Sequence, residues 1–341
     1  MSASSGPLVR QEVPSVGVRV LGPEGVEQYG IDDVPELLGR PGTILWVDVP
    51  TMDEAATRLL SEVFAFHPRA IEDCAKRNPV PKVHVYPKAV FVVLHAPEPG
   101  RGGHIHYVEL DQFIGPGVLV TVHGPLNPAV DLQAALAETR AVVRRLESGR
   151  LRPTSSFELS SAIVTAIAAR MRDYLGERTA DVWRLEQQVT GGVDIEAEEF
   201  LDELFRVRHS LLAVRNISVL SREVYGRMGT LRAFGEGGQD LLTDHVDQFG
   251  RIGIIAEGQK DYLQGVIEFF QTRTNTKMTI AAERLAVIAA VTLPITALSS
   301  IMGMNVIVSE STRPVFLVVL LVVMATMSIM LLLWSKRQGW W

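Results

Sequence analysis

Between residues 279 and 300, small and hydroxyl-bearing side chains recur at a spacing that could serve ion or helix chemistry. Thr279, Ala282, Ala286, Ala289, Leu293, Thr296 and Ser300 follow one another at alternating steps of three and four, which lines them along one stripe of an α-helix. Small residues let helix backbones approach, and hydroxyls in an apolar helix avoid lipid by facing a partner or water. The stripe therefore reads as a seam between subunits or as a pore lining. Covalent chemistry has a weaker footing. His104 and His106 alternate so as to share a strand face, but no third metal ligand is set by spacing near them. Glu72-Asp73 could supply carboxylates to a membrane-tethered enzyme, whereas Cys74 has no sequence-defined base and reads as buried filler. With one cysteine, the chain has no intrachain disulfide framework or cysteine-rich zinc module, and no glycine loop cradles phosphates. The expectation is a protein that is not an enzyme.

The elements that must position the stripe follow from how charge is distributed. The 341 residues are 47% hydrophobic and 21% charged. Apart from Glu310, Arg313, Lys336 and Arg337, every charged side chain precedes Leu285, so the first 284 residues hold 38 acids against 30 lysines and arginines. This is an acidic body followed by an apolar tail. A formal net charge of -6 and the absence of a basic stripe exclude a general nucleic-acid surface. Residues 1–14 are polar, without the apolar core of a signal peptide, so the body is expected to stay in the cytoplasm.

Residues 285–302 and 314–334 give 18 and 21 consecutive uncharged residues. As helices they span about 27 and 31 Å, matching a hydrocarbon core of roughly 30 Å. Arg273, Lys277 and Arg284 precede the first span and Lys336 and Arg337 follow the second, so both termini are expected in the cytoplasm. Trp334, Trp340 and Trp341 then lie at headgroup depth. From Phe316 to Met324 the second span has no polar break, which suits an outer, lipid-facing helix. A protomer with one polar-striped helix cannot enclose a channel, so a ring of subunits is expected, with the first span inside.

In the body, β-rich runs at 16–21, 43–49, 89–95, 106–113 and 118–123 are separated by Gly and Pro clusters. Residues 53–64 read as a helix capped by Thr51 or Asp53. From residue 131 the pattern is helical: Leu201, Leu204, Val207, Leu211, Val214 and Ile217 recur every three or four residues, and Gly191-Gly192 breaks this region into hairpin-like helices. Residues 242–302 lack proline until Pro294, which predicts one long helix with a kink in its membrane part. The expected organisation is a flexible start at 1–14, an α/β domain at 15–130, a helical region at 131–241, a stalk and pore helix at 242–302 crossing the membrane at 285–302, an external loop at 303–313, a second span at 314–334 and a cytoplasmic tail at 335–341.

Thr292-Leu293-Pro294-Ile295-Thr296, then Gly303-Met304-Asn305 just beyond the first span, then a second span with a basic, tryptophan-bearing tail, resembles the CorA-type divalent-cation transporter family. Phe66-His67-Pro68-Arg69-Ala70-Ile71-Glu72-Asp73-Cys74 and Leu119-Val120-Thr121-Val122-His123 are similar to two further stretches of that family. The resemblance covers most of residues 40–341. It implies a homopentamer in the cell inner or plasma membrane, in contact with lipid: an α/β cytoplasmic funnel, a long helical stalk and two C-terminal transmembrane helices.

By that likeness Gly303, Met304 and Asn305 form the external pore mouth, with the Asn305 carbonyls reading a hydrated Mg2+ ion. Thr296 would add a hydroxyl ring, Leu293 an apolar constriction, and Thr279, Ala286, Ala289 and Ser300 further lining. Asp244 matches a regulatory position at which family members use acids to sense divalent cations, and Asp247 stands about one turn on. The sequence departs from the commoner pattern at Val306, where an aromatic often stands, in the loop at 307–312, which lacks a Met-Pro-Glu run, and at Ala282-Glu283, where Met-Lys is often seen. The function implied is potential-driven Mg2+ influx gated by cytoplasmic Mg2+. A Zn2+ or Co2+ transporter of the same family and a non-conducting cation sensor are the alternatives.

Overall fold

The computed structural model describes residues 15–100, 104–191, 196–231, 234–303 and 314–337. The chain divides into two compact units, one ending at Gln264 and one beginning at Gly265. In the first, seven strands among the described residues form one sheet: β1 (Gly17–Gly22), β2 (Gly25–Tyr29), β3 (Ile44–Val49), β4 (Lys82–Val85), β5 (Val90–Pro99), β6 (Ile105–Gly115) and β7 (Val118–His123). Their order is β2-β1-β3-β7-β6-β5-β4, with β3 and β7 parallel and the other neighbours antiparallel.

The most legible strands in the sequence are the central ones. β3 and β7 are covered on both faces, so both read as near-continuous apolar runs. The five expected strands are present within a few residues. β2 and β4 were not foreseen because they are short, exposed edges without a clean apolar face.

Residues of one parity in the sheet, including Val18, Val47, Phe91, Val93, Phe113 and Val120, pack against α1 (Val34–Leu37), α2 (Glu54–Arg58), a π-helical turn (Leu59–Val63) and α3 (Pro68–Ala75). Asp53 caps α2, accepting from the Ala56 amide at 2.7 Å. The Phe64 amide closes the π turn on the Leu59 carbonyl at 3.1 Å, and Ala65, whose φ of 48° lies in the left-handed region, then reverses the chain so that the Phe66 amide returns to the Leu60 carbonyl at 3.0 Å. It also aims both rings inward, where Phe66 stacks on Phe64 and on Phe113 at 5.2 and 4.2 Å.

The other face carries a polar seam under α4 (Leu132–Ala135), α5 (Ala137–Glu147) and α6 (Ser156–Thr190). The Trp46 indole donates to Thr121 Oγ1 at 3.0 Å, and that hydroxyl donates to Asp48 Oδ1 at 2.6 Å. His123 lies 3.1 Å from the same oxygen and 3.0 Å from the Ala135 carbonyl. Burial works against the Asp48 charge, but His123 and the Thr121 and Thr139 hydroxyls outweigh it and hold the carboxyl below its ordinary range. Arg170 on α6 ties the same layer together, donating to Glu138 and to the Ala134 carbonyl at 2.8 Å and to Glu98 at the end of β5.

α6 is followed by α7 (Ala197–Gly229) and α8 (Gly235–Gly303). The expected α7 face is buried at Leu204, Val207, Leu211, Val214 and Ile217, with Leu201 half-buried. α8 joins them through Leu242, Phe249, Ile252, Ala256 and Leu263, each at most 1% exposed and spaced by sevens, threes and fours. The glycines of this helix have two roles. A Cβ at Gly250 would meet Arg222, and one at Gly253 would meet Ser218 and Val219, so these two bring α8 close to α7; a Cβ at Gly258 would meet nothing. The second unit holds the rest of α8, with Pro294 inside it, and the 24-residue α9 (Pro314–Arg337).

Because Ala65 holds a conformation that favours glycine, Ala65→Gly is expected to stabilise the body by about 1 kcal/mol. Thermal unfolding of the two proteins measures this; a lower melting temperature for the variant would mean that the turn is set by the Ala65 methyl instead.

Candidate functional site: the exposed stripe of the longest helix

α8 is 69 residues long, and its faces are treated unequally. In the second unit, Val287 is buried and Ala290, Val291, Pro294, Ile295 and Leu298 are half-buried, which marks the packed side. Thr279, Ala282, Ala286, Ala289, Thr296 and Ser300 are all exposed, and so is Leu293 at 67%. The helix therefore keeps the expected stripe off its own packing. Gly303 is the last residue of α8 and is exposed, with open space where a Cβ would stand. Met304 and Asn305 lie outside the described residues, as does the rest of the external loop expected at 303–313.

The hydroxyls on this stretch are oriented by the helix itself. Thr279 Oγ1 donates to the Asn275 carbonyl at 3.0 Å, Thr292 to Ile288 at 2.8 Å and Thr296 to Thr292 at 2.8 Å. Each proton is thus spent on the backbone one turn earlier, and what the oxygen offers outward is acceptor capacity. An acceptor suits a cation or the protons of its hydration water.

Asp244 and Asp247 lie on α8 within the first unit and both are exposed; Asp244 Oδ2 accepts from Gln248 Nε2 at 2.5 Å. Counting forward from them in steps of three and four gives Arg251, Ile254, Gly258 and Asp261, then Gly265, Glu268, Thr272 and Asn275, and then Thr279. All of these side chains or glycines are exposed. The acids and the hydroxyl stripe are thus joined by an exposed series along α8. Asp240, one turn before Asp244, is exposed as well.

His245, beside Asp244, turns the other way. It is 1% exposed, 2.8 Å from the Ser161 hydroxyl of α6 and edge-on to the Tyr225 ring of α7 at 5.0 Å. It therefore fixes the rotation of α8 that leaves Asp244 and Asp247 outward. Burial pushes its pKa down to about 4.

The other sequence candidates do not assemble into a reactive centre. Glu72 pairs with Lys76, and Asp73 pairs with Lys82 at 2.8 Å. His106 Nδ1 lies 3.2 Å from Asn127 Nδ2, and His104 is exposed. Cys74 is fully buried, and burial followed by the Asp111 carboxyl pushes its thiol well up, away from reactivity. Asp111 and Glu109 are buried neighbours on one face of β6. Burial raises both carboxyls; Asn78 counters this at Glu109 by donating its amide at 2.8 Å. Among the described residues no group of three His, Cys, Asp or Glu side chains is placed to hold a metal ion.

An α/β body is followed by a helix with a stretch long and apolar enough to cross a membrane, 6% of it buried, as in a membrane protein with a large soluble domain. The family model for CorA-like Mg2+ transporter protein matches residues 41–337, and the chain belongs to that family, whose members are transporters rather than enzymes. The Bacillus subtilis (strain 168) protein YfjQ is 24% identical over 301 residues, 86% of this chain and 89% of YfjQ. The cobalt/magnesium transport protein CorA of Thermotoga maritima is 20% identical over 334 residues, 93% of this chain and 90% of its own. The complete structure of the CorA magnesium transporter from Methanocaldococcus jannaschii superposes with a TM-score of 0.80 at 14% identity, covering 96% of this chain and 98% of that one. The fold expected from the sequence is the fold found in its body and long helix.

His245 and His95 both have pKa values pushed down to about 4 by burial. Unfolded, they take up protons near about 6.5. The stability they support is complete above that value and is lost as pH falls towards 4, because the unfolded chain binds protons that the folded one refuses. Melting temperatures of the detergent-solubilised protein should therefore fall across this window, and His245→Leu should flatten the slope. An unchanged slope in the variant would contradict the buried, neutral His245.

Proposed function

We propose that the chain is a Mg2+ channel that admits the ion down the membrane potential and is gated by cytoplasmic Mg2+. The observation that carries this reading is the exposed series along α8, with acids at one end and backbone-anchored threonine hydroxyls at the other. Family membership supports divalent-cation transport. In this reading the protein is a homopentamer in the cell membrane, both termini are cytoplasmic, α8 surrounds the axis and α9 is a second, outer span. The all-round apolar surface of α9, exposed at Val318, Val319, Leu321, Val322 and Val323, supports the last assignment.

Mg2+ gives up its water reluctantly, so entry works best through groups that bind the hydrated ion without stripping it. Five Asn305 carbonyls at the mouth would capture it, with Gly303 and Met304 shaping the turn. Thr296 would present a second ring of acceptors, Leu293 a constriction, and Ser300, Ala289, Ala286 and Thr279 a smooth wall between. Inside-negative potential supplies about 2.3 kcal/mol per elementary charge per 100 mV, so no nucleotide is required. At the cytoplasmic end, Asp244 and Asp247 from neighbouring protomers would repel one another until Mg2+ bridges them. High internal Mg2+ then holds the ring shut, and its loss loosens it.

Mg2+ influx into liposomes holding the purified protein tests this, at low internal Mg2+ and with the interior negative. Flux is expected in the wild type, reduced at least about tenfold in an Asn305→Ala protein that assembles normally. Selective flux of Zn2+ or Co2+ in place of Mg2+ would replace the substrate, and intact oligomers that pass no ion would replace the channel with a sensor.

A further inference from the structure

Three arginines converge on a small pocket of the body that the transport reading does not use. Arg19 comes from β1, and Arg140 and Arg144 lie one turn apart on α5; with Gly17 and Asp48 they line a cavity of about 230 Å³. The pocket lies beside the carboxyl end of β3, where Asp48 and Pro50 line it, and under α5.

The cations are held in place without being neutralised. The Arg19 guanidinium lies 5.6 Å from the centroid of the Trp46 ring, and a Cβ on Gly17 would stand 2.8 Å from its Nη1, so the bare glycine makes room for it. Its Nε is buried and has no hydrogen-bond partner. Arg140 donates to the neutral Gln133 carbonyl, and among the described residues none of the three forms an ion pair with a carboxylate. Asp48 is the one acid in the lining, and its Oδ1 accepts from Thr121 and lies 3.1 Å from His123. In a chain of net charge -6, three guanidiniums that no carboxylate neutralises turn toward one cavity, and guanidiniums recognise anions.

We propose that this pocket binds a tetrahedral oxyanion: inorganic phosphate, or the terminal phosphate of a larger metabolite whose remainder stays in solvent. At 230 Å³ the cavity is smaller than the roughly 300–1,000 Å³ that enclose a drug-sized ligand, so one phosphoryl group is the part it takes in. Planar guanidiniums recognise such oxygens in pairs of hydrogen bonds, and the orphan Arg19 Nε gains a partner. Bound there, the anion clamps α5 to β1, stabilising the body without touching α8.

The test is thermal unfolding of the full-length protein in detergent, free of divalent cations, titrated with inorganic phosphate, with ATP and with chloride at matched ionic strength. Phosphate or ATP is expected to raise the melting temperature saturably, since a ligand of the folded state stabilises it by mass action, and chloride is not. Arg144 is exposed, so Arg144→Gln leaves the core intact; it and Arg19→Gln are each expected to weaken the apparent affinity about tenfold. Tighter binding of phosphate identifies the free ion as the ligand, and tighter binding of ATP identifies a nucleotide's terminal phosphate. No saturable shift with either, a chloride shift equal to theirs, or variants that titrate like the wild type would overturn the proposal.

Discussion

The structure depends on how α8 divides its surface. One side of the helix is spent on packing, at Leu242, Phe249, Ile252, Ala256 and Leu263 in the first unit and around Val287 in the second. The series from Asp244 to Ser300 lies off that side and is exposed throughout. A helix 69 residues long draws its stability from tertiary partners rather than from propensity. The uncovered side of such a helix calls for partners beyond the chain's own body, and in the proposed ring further copies of this chain supply them.

The body supplies the orientation. His245 and the glycines at 250 and 253 set the phase of α8 against α6 and α7, so Asp244 and Asp247 point out. Behind them the sheet is fixed by polar contacts that close only in one register: Trp46 to Thr121 to Asp48 to His123 across β3 and β7, and Arg170 between β5 and α5. Buried polar groups that are satisfied in a single arrangement tie the packing to one structure. The Glu109 and Asp111 carboxyls work against stability when ionised, because burial raises them both.

What the sequence made legible follows from burial. Strands covered on both faces, such as Ile44–Val49 and Val118–His123, are apolar runs that periodicity finds. The α7 face and the small-residue stripe were likewise visible, because a helix writes its faces at steps of three and four. β2 and β4 were invisible because an exposed edge strand carries no such signature. The Ala65 reversal was hidden behind a residue that disguises a left-handed turn, and Asp53 rather than Thr51 proved to be the cap. Arg19, Arg140 and Arg144 could not be joined from sequence, since more than a hundred positions and a sheet crossing separate β1 from α5. The Gly303-Met304-Asn305 motif carried the family resemblance, while the acids and the small-residue stripe, recognised apart, both lie on the exposed side of α8.

The most direct measurement of whether this series faces other copies of the chain is disulfide cross-linking in membranes. Cys74 is buried with its thiol pushed well up, so the unmodified chain gives little background. Single cysteines at Ala286 or Ala289, on the stripe, are predicted to yield covalent dimers on mild oxidation, while one at Val287, on the packed side, is predicted to yield none. Dimers from Val287 with none from Ala286 or Ala289 would show that the stripe faces something other than its own kind, and the account of α8 as the axial helix would be wrong.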